Sequence, residues 1–219
     1  MQIKAILFDI DGTLVDSNDM HVLAWEEAFL GVGARFDRKT VHDQIGKGTD
    51  MLVPTLLPDL DEAAIEDLGD KRGSIFKEYY LDKVEPFPGA HDLLAHAAAN
   101  GQQVVLASSA AGPELEHYLD LLDARDIVSA TTSGDDVAHT KPAPDIFATA
   151  LVRLDGIGAG EAIVVGDTPY DIEAAAKCGI KAVAVRSGGF SDEALGGAVA
   201  IYDDVAALLA GYANSPLGR

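Results

Sequence analysis

Two aspartates, Asp9 and Asp11, stand two residues apart where an apolar run, Ile6-Leu7-Phe8, gives way to Gly12-Thr13. Successive strand side chains point to opposite faces, so residues two apart address the same region. Two carboxylates in one region repel unless they share a proton or a cation. A divalent ion settles that conflict, and Mg²⁺ suits it: it is hard, prefers oxygen and needs few protein ligands beside water and phosphate. Gly12 permits a sharp turn with backbone N–H groups free to meet an anion, and Thr13 would stabilise that turn. Taken singly, either aspartate reads as an ordinary strand-end residue.

Further along the chain the same kind of station recurs. The apolar run Val104–Ala107 ends in Ser108-Ser109, a hydroxyl pair that with nearby N–H groups can hold phosphate oxygens, or that caps a helix or turn. Lys141 precedes Pro142, which disfavours helix at Lys141 and leaves it in a loop, one fixed positive charge. The run Ile163-Val164-Val165-Gly166 closes on Asp167, and Asp171 follows four residues later, at a helix start where an acidic side chain is favourable in any case. Each has a bland reading alone. Three carboxylates, a hydroxyl and a lysine at the same end of successive strands do not.

The elements that must position these residues are legible as a rhythm. Short continuous apolar runs at Ile3–Phe8, Val104–Ala107, Ile163–Val165 and Ala182–Val185 read as strands buried on both faces, with Ile127–Thr131 as a fifth and Val199–Tyr202 as a sixth. Helical patterns at Ala90–Ala99, Gly112–Leu122, Pro144–Leu154 and Tyr170–Cys178 alternate with them, which predicts an α/β fold with a Rossmann-like parallel sheet. Residues 17–85 break the rhythm with helical patterning and no strand signal, until Glu85-Pro86-Phe87-Pro88-Gly89 closes the stretch. They read as an all-helical cap inserted after the first strand, between hinges near 15–18 and 83–89, with residues 1–16 and 86–219 forming the core. Binding sites in open α/β sheets lie beyond the carboxyl ends of the strands. An insert leaving from such an end sits over the site as a lid.

Composition narrows the partners. With 36 acidic against 16 basic residues the formal charge is −20, a surface that repels nucleic acid and anionic membrane. It repels a phosphorylated small molecule too, so any anion site must be built locally from metal, lysine and backbone N–H groups. No apolar stretch approaches the roughly 20 residues that span a bilayer. No secretory signal is visible, and a single cysteine, Cys178, excludes an internal disulfide; both point to the cytoplasm. The expected partner is a phosphorylated small molecule, with neither nucleic acid nor membrane, and the expected state is a monomer or weak dimer.

Asp9-Ile10-Asp11-Gly12-Thr13-Leu14-Val15-Asp16-Ser17 resembles the first signature of the haloacid dehalogenase superfamily, in its phosphatase branch, and Ser108, Lys141 and Gly166–Asp171 resemble the second, third and fourth motifs in order. The resemblance covers nearly the whole chain, cap included. It implies a Mg²⁺-dependent mechanism in which Asp9 is the nucleophile that becomes an aspartyl-phosphate and Asp11 the acid/base. Lys141 and Ser108 would hold the phosphoryl oxygens, with Gly12, Thr13 and Ser109 beside them. The metal would be bound by Asp9, Asp11 through its backbone carbonyl, and Asp167, with Asp171 in support. Asp11 argues against the dehalogenase branch, which lacks it. The phosphonate-hydrolysing branch needs a cap lysine, and no one of the five cap lysines stands out.

Two cap positions are substrate-binding candidates. His21, in His21-Val22-Leu23-Ala24-Trp25, resembles a stretch of beta-phosphoglucomutase and of related sugar-phosphate phosphatases; otherwise it is an amphipathic surface residue. Lys47, in Ile45-Gly46-Lys47-Gly48-Thr49, resembles the family's specificity loop; otherwise it is a solvated residue between two helices. The expected activity is hydrolysis of a small phosphorylated metabolite, with a sugar-phosphate mutase and a non-catalytic phospho-ligand module as alternatives.

Overall fold

Residues 2–218 are described by a computed structural model. Strand β1 (Ala5–Phe8) is fully buried and lies at the middle of a six-stranded sheet, paired in parallel with β4 (Gln103–Ala107) on one side and β6 (Ala162–Gly166) on the other. Beyond β4 comes β5 (Ala130–Thr132); beyond β6 come β7 (Lys181–Val185) and β8 (Ala200–Tyr202), and every pairing is parallel. This is the α/β, Rossmann-like sheet the apolar runs predict.

Period-two alternation sorts the strand side chains between two layers. Ile6, Phe8, Val104, Leu106, Ile163 and Val165 join one apolar cluster, packed by α5 (Ala90–Ala99), α6 (Gly112–Leu121) and α9 (Val205–Ala210). Leu7, Val105 and Val164 join the other, against α7 (Asp145–Val152) and α8 (Pro169–Lys177). The chain leaves β1 toward β4 and β5, then returns across it to β6. The crevice where the order reverses lies at the carboxyl ends of β1, β4 and β6, where open α/β sheets place their ligands.

Between β1 and α5 stand four helices: α1 (Asn18–Gly31), α2 (Arg38–His42), α3 (Thr49–Leu56) and α4 (Glu62–Tyr79). Asp37 and Asp61 cap α2 and α4, accepting from the N–H groups of Thr40 and Ala64. Val22, Trp25 and Phe29 of α1 pack with Phe76 of α4, and this apolar cluster runs on through Leu14 and Ile10 into the sheet's first layer.

Three local differences from the sequence expectation have plain causes. The segments read as hinges pair with each other, β2 (Val15–Asp16) antiparallel to β3 (Glu85–Pro86), a ladder too short to leave a pattern. Ile127 and Val128 are not in β5: their N–H groups bond Ala124 O in a turn after α6, and their apolar character serves packing rather than pairing. The sequence predicts no helix after the last strand, where α9, six residues capped by Asp204, is too short to show a period.

Candidate active site

Asp9 follows β1 directly, Ser108 follows β4 and Asp167 follows β6, so parallel pairing in register brings the three strand ends together. Asp9 is 4% exposed and Asp167 fully buried, so neither strand simply ends in water. Asp171, in the first turn of α8, is turned back by a capping box: Thr168 donates its N–H and Oγ1 to Asp171 Oδ2, at 3.1 and 2.6 Å. The buried Lys141 ammonium bonds Asp9 Oδ1, lies 2.8 Å from Asp171 Oδ1 and donates to Ala107 O at 3.0 Å. Thr13 Oγ1 and Asn18 Nδ2 each donate to Asp167 at 3.0 Å.

The electrostatics of this group call for a cation. Burial, and behind it Asp171 and Asp11, push Asp9 up to about 7 in spite of Lys141, from an ordinary 3.8. Burial, with Asp9 and Asp171, likewise raises Asp167 well above that value. Burial opposes the Lys141 charge, but Asp171 and Asp9 outweigh it and raise the amine. Asp9, Asp167 and Asp171 each offer an oxygen within 4.8 Å of the others. Three carboxylates face one ammonium, and a hard divalent cation of the Mg²⁺ kind fits both the oxygen donors and the uncompensated charge.

Asp11 is held apart from that cluster. Its Oδ1 accepts from Ser17 Oγ at 2.6 Å, His21 Nε2 at 2.9 Å and Tyr118 OH at 2.9 Å. Its carboxylate is therefore no part of the group formed by Asp9, Asp167 and Asp171, which leaves the backbone as the route by which Asp11 would reach a metal. Among the described residues nothing bonds Oδ2. Burial pushes Asp11 up, but the imidazole of His21, as charge and as hydrogen bond, together with Ser17 and Tyr118, holds it at about 2. His21 itself stacks on Phe76 with ring centroids 4.0 Å apart, so α4 fixes the imidazole that fixes Asp11.

Asp9, Asp11, His21, Lys47, Ser108 and Ser109 line one cavity of about 40 Å³, room for about three water molecules. The helices are therefore closed on the sheet. Ser109 Oγ donates to Gly46 O at 3.2 Å, Gly48 N–H to Thr140 Oγ1 at 2.8 Å, and His42 Nε2 meets Gly188 O at 2.9 Å.

Two expectations change. The N–H groups of Gly12 and Thr13 are not free: they close the turn on Val15 O and Ile10 O, at 2.9 and 3.1 Å. The amides of Asp11 and Ser109, by contrast, meet no acceptor among the described residues. Gly12 serves instead by its positive φ of 76° and its lack of a side chain, since a Cβ there would lie 2.3 Å from Asp167 Oδ2. Lys47 lines the cavity, but its ammonium turns to Gln44 Oε1 at 2.6 Å and Thr55 Oγ1 at 3.2 Å. Sequence reasoning assigned no role to Ser17, Asn18, Tyr118, Arg72 or Glu114. Ser17 closes the opening motif and Asn18 follows it, so both were within reach; the others lie on amphipathic helices whose patterns carry no sign of them.

A family model described as haloacid dehalogenase-like hydrolase matches residues 6–185. The fructose-1-phosphate phosphatase YqaB of Escherichia coli is 28% identical over 190 residues, spanning 83% of this chain and 95% of that protein. A phosphoglycolate phosphatase of Rhodospirillum rubrum is 31% identical over 216 residues, spanning 94% of this chain and 89% of that protein. Among solved structures, a hydrolase from Pseudomonas syringae is similar at a TM-score of 0.91 and 27% identity, over 98% of this chain and 99% of the other.

Proposed function

The chain belongs to the haloacid dehalogenase-like hydrolases, and we propose that within that family it is a Mg²⁺-dependent phosphatase that cleaves a small phosphorylated metabolite, a sugar phosphate or phosphoglycolate-like acid, through a phosphorylated Asp9. One observation carries this reading: Asp9, Asp167, Asp171 and Lys141 are gathered, buried, at the switch point of the sheet, with Asp11 held apart but on the same cavity. Residues 1–16 and 86–219 serve as the catalytic core and 17–85 as its cap.

Asp9 and Asp167 would hold Mg²⁺ with the backbone carbonyl of Asp11, and Asp171 in support. When bound, Mg²⁺ supplies the charge neutralisation that lets an anion approach an anionic site. Phosphoryl transfer asks the protein mainly for position and electrostatic stabilisation. A carboxylate oxygen of Asp9 attacks phosphorus in line, while Lys141, Ser108 and the free amides of Asp11 and Ser109 hold the phosphoryl oxygens. Asp11, once the bound phosphate's negative charge has drawn a proton from solvent onto it, gives that proton to the leaving oxygen, then takes one from the water that hydrolyses the phosphorylated Asp9. Ser17, His21 and Tyr118 anchor its Oδ1, so proton exchange falls to Oδ2. Gly12 and Thr13 shape the turn, and Lys47 completes the cap wall. Closure leaves space for only a few waters, which suits a reaction that must exclude stray water and disfavours phosphoproteins as substrates. A reducing cytoplasm accords with the lone free thiol of Cys178.

Turnover of 4-nitrophenyl phosphate with Mg²⁺ and with a chelator tests the reading. We expect turnover only with Mg²⁺, and a loss of roughly 10³-fold or more in Asp9→Asn, as for other nucleophile removals. Metal-independent turnover, or an Asp9→Asn rate equal to that of the unaltered protein, would refute it. Retention of a sugar bisphosphate in place of phosphate release would assign the mutase reaction.

A further inference from the structure

Arg72 on α4 and Glu114 in the first turn of α6 meet across the join between cap and core, Nη1 to Oε1 at 3.4 Å, with side chains 13% and 10% exposed. Arg72 lies against the Trp25 ring, 5.4 Å from its centre, and its Nη1 is 3.5 Å from His21 Nδ1. A line of polar groups thus runs outward from Asp11 through His21 and Arg72 to Glu114. Two atoms at its outer end are stranded: Arg72 Nε and Glu114 Oε2 are buried without a partner among the described residues. Leaving a buried polar atom unmet costs about 1–3 kcal/mol, so each of these side chains gains a bond by turning toward a polar group of a ligand.

Where the pair sits says which part of the ligand it meets. Arg72 and Glu114 line the small cavity around Asp9 and Asp11, and they also line an outer cleft of about 820 Å³ between α4 and α6. They are the charged residues common to both, and so form the wall between the reacting atoms and the outside. With Asp11 serving the leaving oxygen, whatever that oxygen belongs to extends toward this wall. The charge of Arg72 is cancelled there by Glu114. With a small turn of either side chain a hydroxyl can donate to Glu114 and accept from Arg72, whereas a carboxylate would set its charge against Glu114. The outer cleft repeats the preference, since Asp50, Glu66, Asp70 and Asp135 outnumber Lys77 there.

We propose that Glu114 is a specificity-determining residue that selects an uncharged, hydroxyl-bearing leaving group, a polyol or sugar phosphate, over one that carries a carboxylate. This rests on the phosphatase reading and divides the two substrate types that reading allows.

The experiment compares kcat/KM for glycerol 3-phosphate and 2-phosphoglycolate in the unaltered protein, Glu114→Gln and Glu114→Ala, with Mg²⁺ present. The unaltered protein should favour glycerol 3-phosphate by about tenfold or more, equivalent to about 1.4 kcal/mol. Glu114→Gln keeps the shape and uncovers the Arg72 charge, so the preference should shift toward 2-phosphoglycolate by about tenfold, and Glu114→Ala should shift it the same way. An unaltered protein that prefers 2-phosphoglycolate, or a preference unchanged in both variants, overturns the proposal. Absence of turnover of either substrate and of 4-nitrophenyl phosphate by the unaltered protein refutes the phosphatase reading instead. Calorimetric binding of the same two compounds to the same three proteins then decides on Glu114, by the same shift or its absence.

Discussion

His21 sets the state of Asp11. Its Nε2–H reaches Asp11 Oδ1 at 2.9 Å, and without it burial would dominate and lift the carboxyl from about 2. A base must be ionised, so activity limited by water attack falls on acidification with a midpoint at the pKa of Asp11. In His21→Ala the acid limb of the kcat–pH profile for an aryl phosphate should therefore move up, to or beyond the ordinary 3.8 of a free carboxyl. An acid limb at the same pH in both proteins would show that Asp11 is tuned by something else. Aryl phosphates suit the test because their leaving group needs little help from an acid. Gly188 bears on the proposed metal site in the same way. A Cβ there would lie 1.7 Å from Asp167 Oδ2, a buried carboxylate that can yield only by leaving the group it forms with Asp9 and Asp171. We expect Gly188→Ala to raise the Mg²⁺ concentration for half-maximal activity by about tenfold, a loss of about 1.4 kcal/mol in binding. A Mg²⁺ titration that superposes on that of the unaltered protein would refute this.

At the scale of elements, the sheet's strands place the chemistry and the cap's helices complete it, and the two jobs differ in how far a sequence betrays them. Strands buried on both faces read as unbroken apolar runs, so β1, β4, β6 and β7 were legible, and with them the strand-end positions of Asp9, Ser108 and Asp167. The β2–β3 ladder was not, because two residues a side leave no period. Nor was the link from α3 to the loop before Lys141. Asp50 accepts from Thr140 N–H at 3.0 Å and from its hydroxyl, while Gly48 N–H donates to Thr140 Oγ1 at 2.8 Å. An acidic residue in a first helical turn looks like a favourable end charge and nothing more. These bonds join α3 to the neighbour of Lys141, so losing them should loosen the inserted helices from the sheet. Asp50→Ala should raise KM for a small phosphate ester by about tenfold, the worth of one or two hydrogen bonds, with a smaller change in kcat. Faster amide exchange in α3 should accompany it. A raised KM with α3 exchange unchanged would mean that Asp50 acts on substrate and not on closure.

For the whole molecule, the site joins residues from Asp9 to Gly188, and what the sequence hid is what only the completed fold brings together. Asn18 on Asp167 and Tyr118 on Asp11 span 149 and 107 positions, and no local pattern records such pairs. Charge and stability, by contrast, follow from the chain as a whole. Asp9 at about 7 when folded against an ordinary 3.8 means that between those values the folded, metal-free protein holds more protons than the unfolded chain, so its stability falls as pH rises. Its Tm should drop between pH 5 and 8, and Mg²⁺, which takes the ionised carboxylates, should restore more at pH 8 than at pH 5. A stabilisation by Mg²⁺ that is equal at both pH values would contradict this. The net charge of −20 makes a second demand. A phosphate ester approaches against the field of the whole surface, and the compensating charge of Lys141 is buried, where it cannot reach far into solvent. Salt screens exposed charges over about 10 Å at 0.1 M but screens buried ones much less, so it weakens the repulsion more than the capture. Raising NaCl from 10 to 200 mM at fixed Mg²⁺ should therefore raise kcat/KM by about two- to fivefold and leave kcat nearly unchanged, the reverse of the usual steering effect. If kcat/KM falls instead, a local positive field at the cleft mouth governs approach, and the surface charge serves solubility alone.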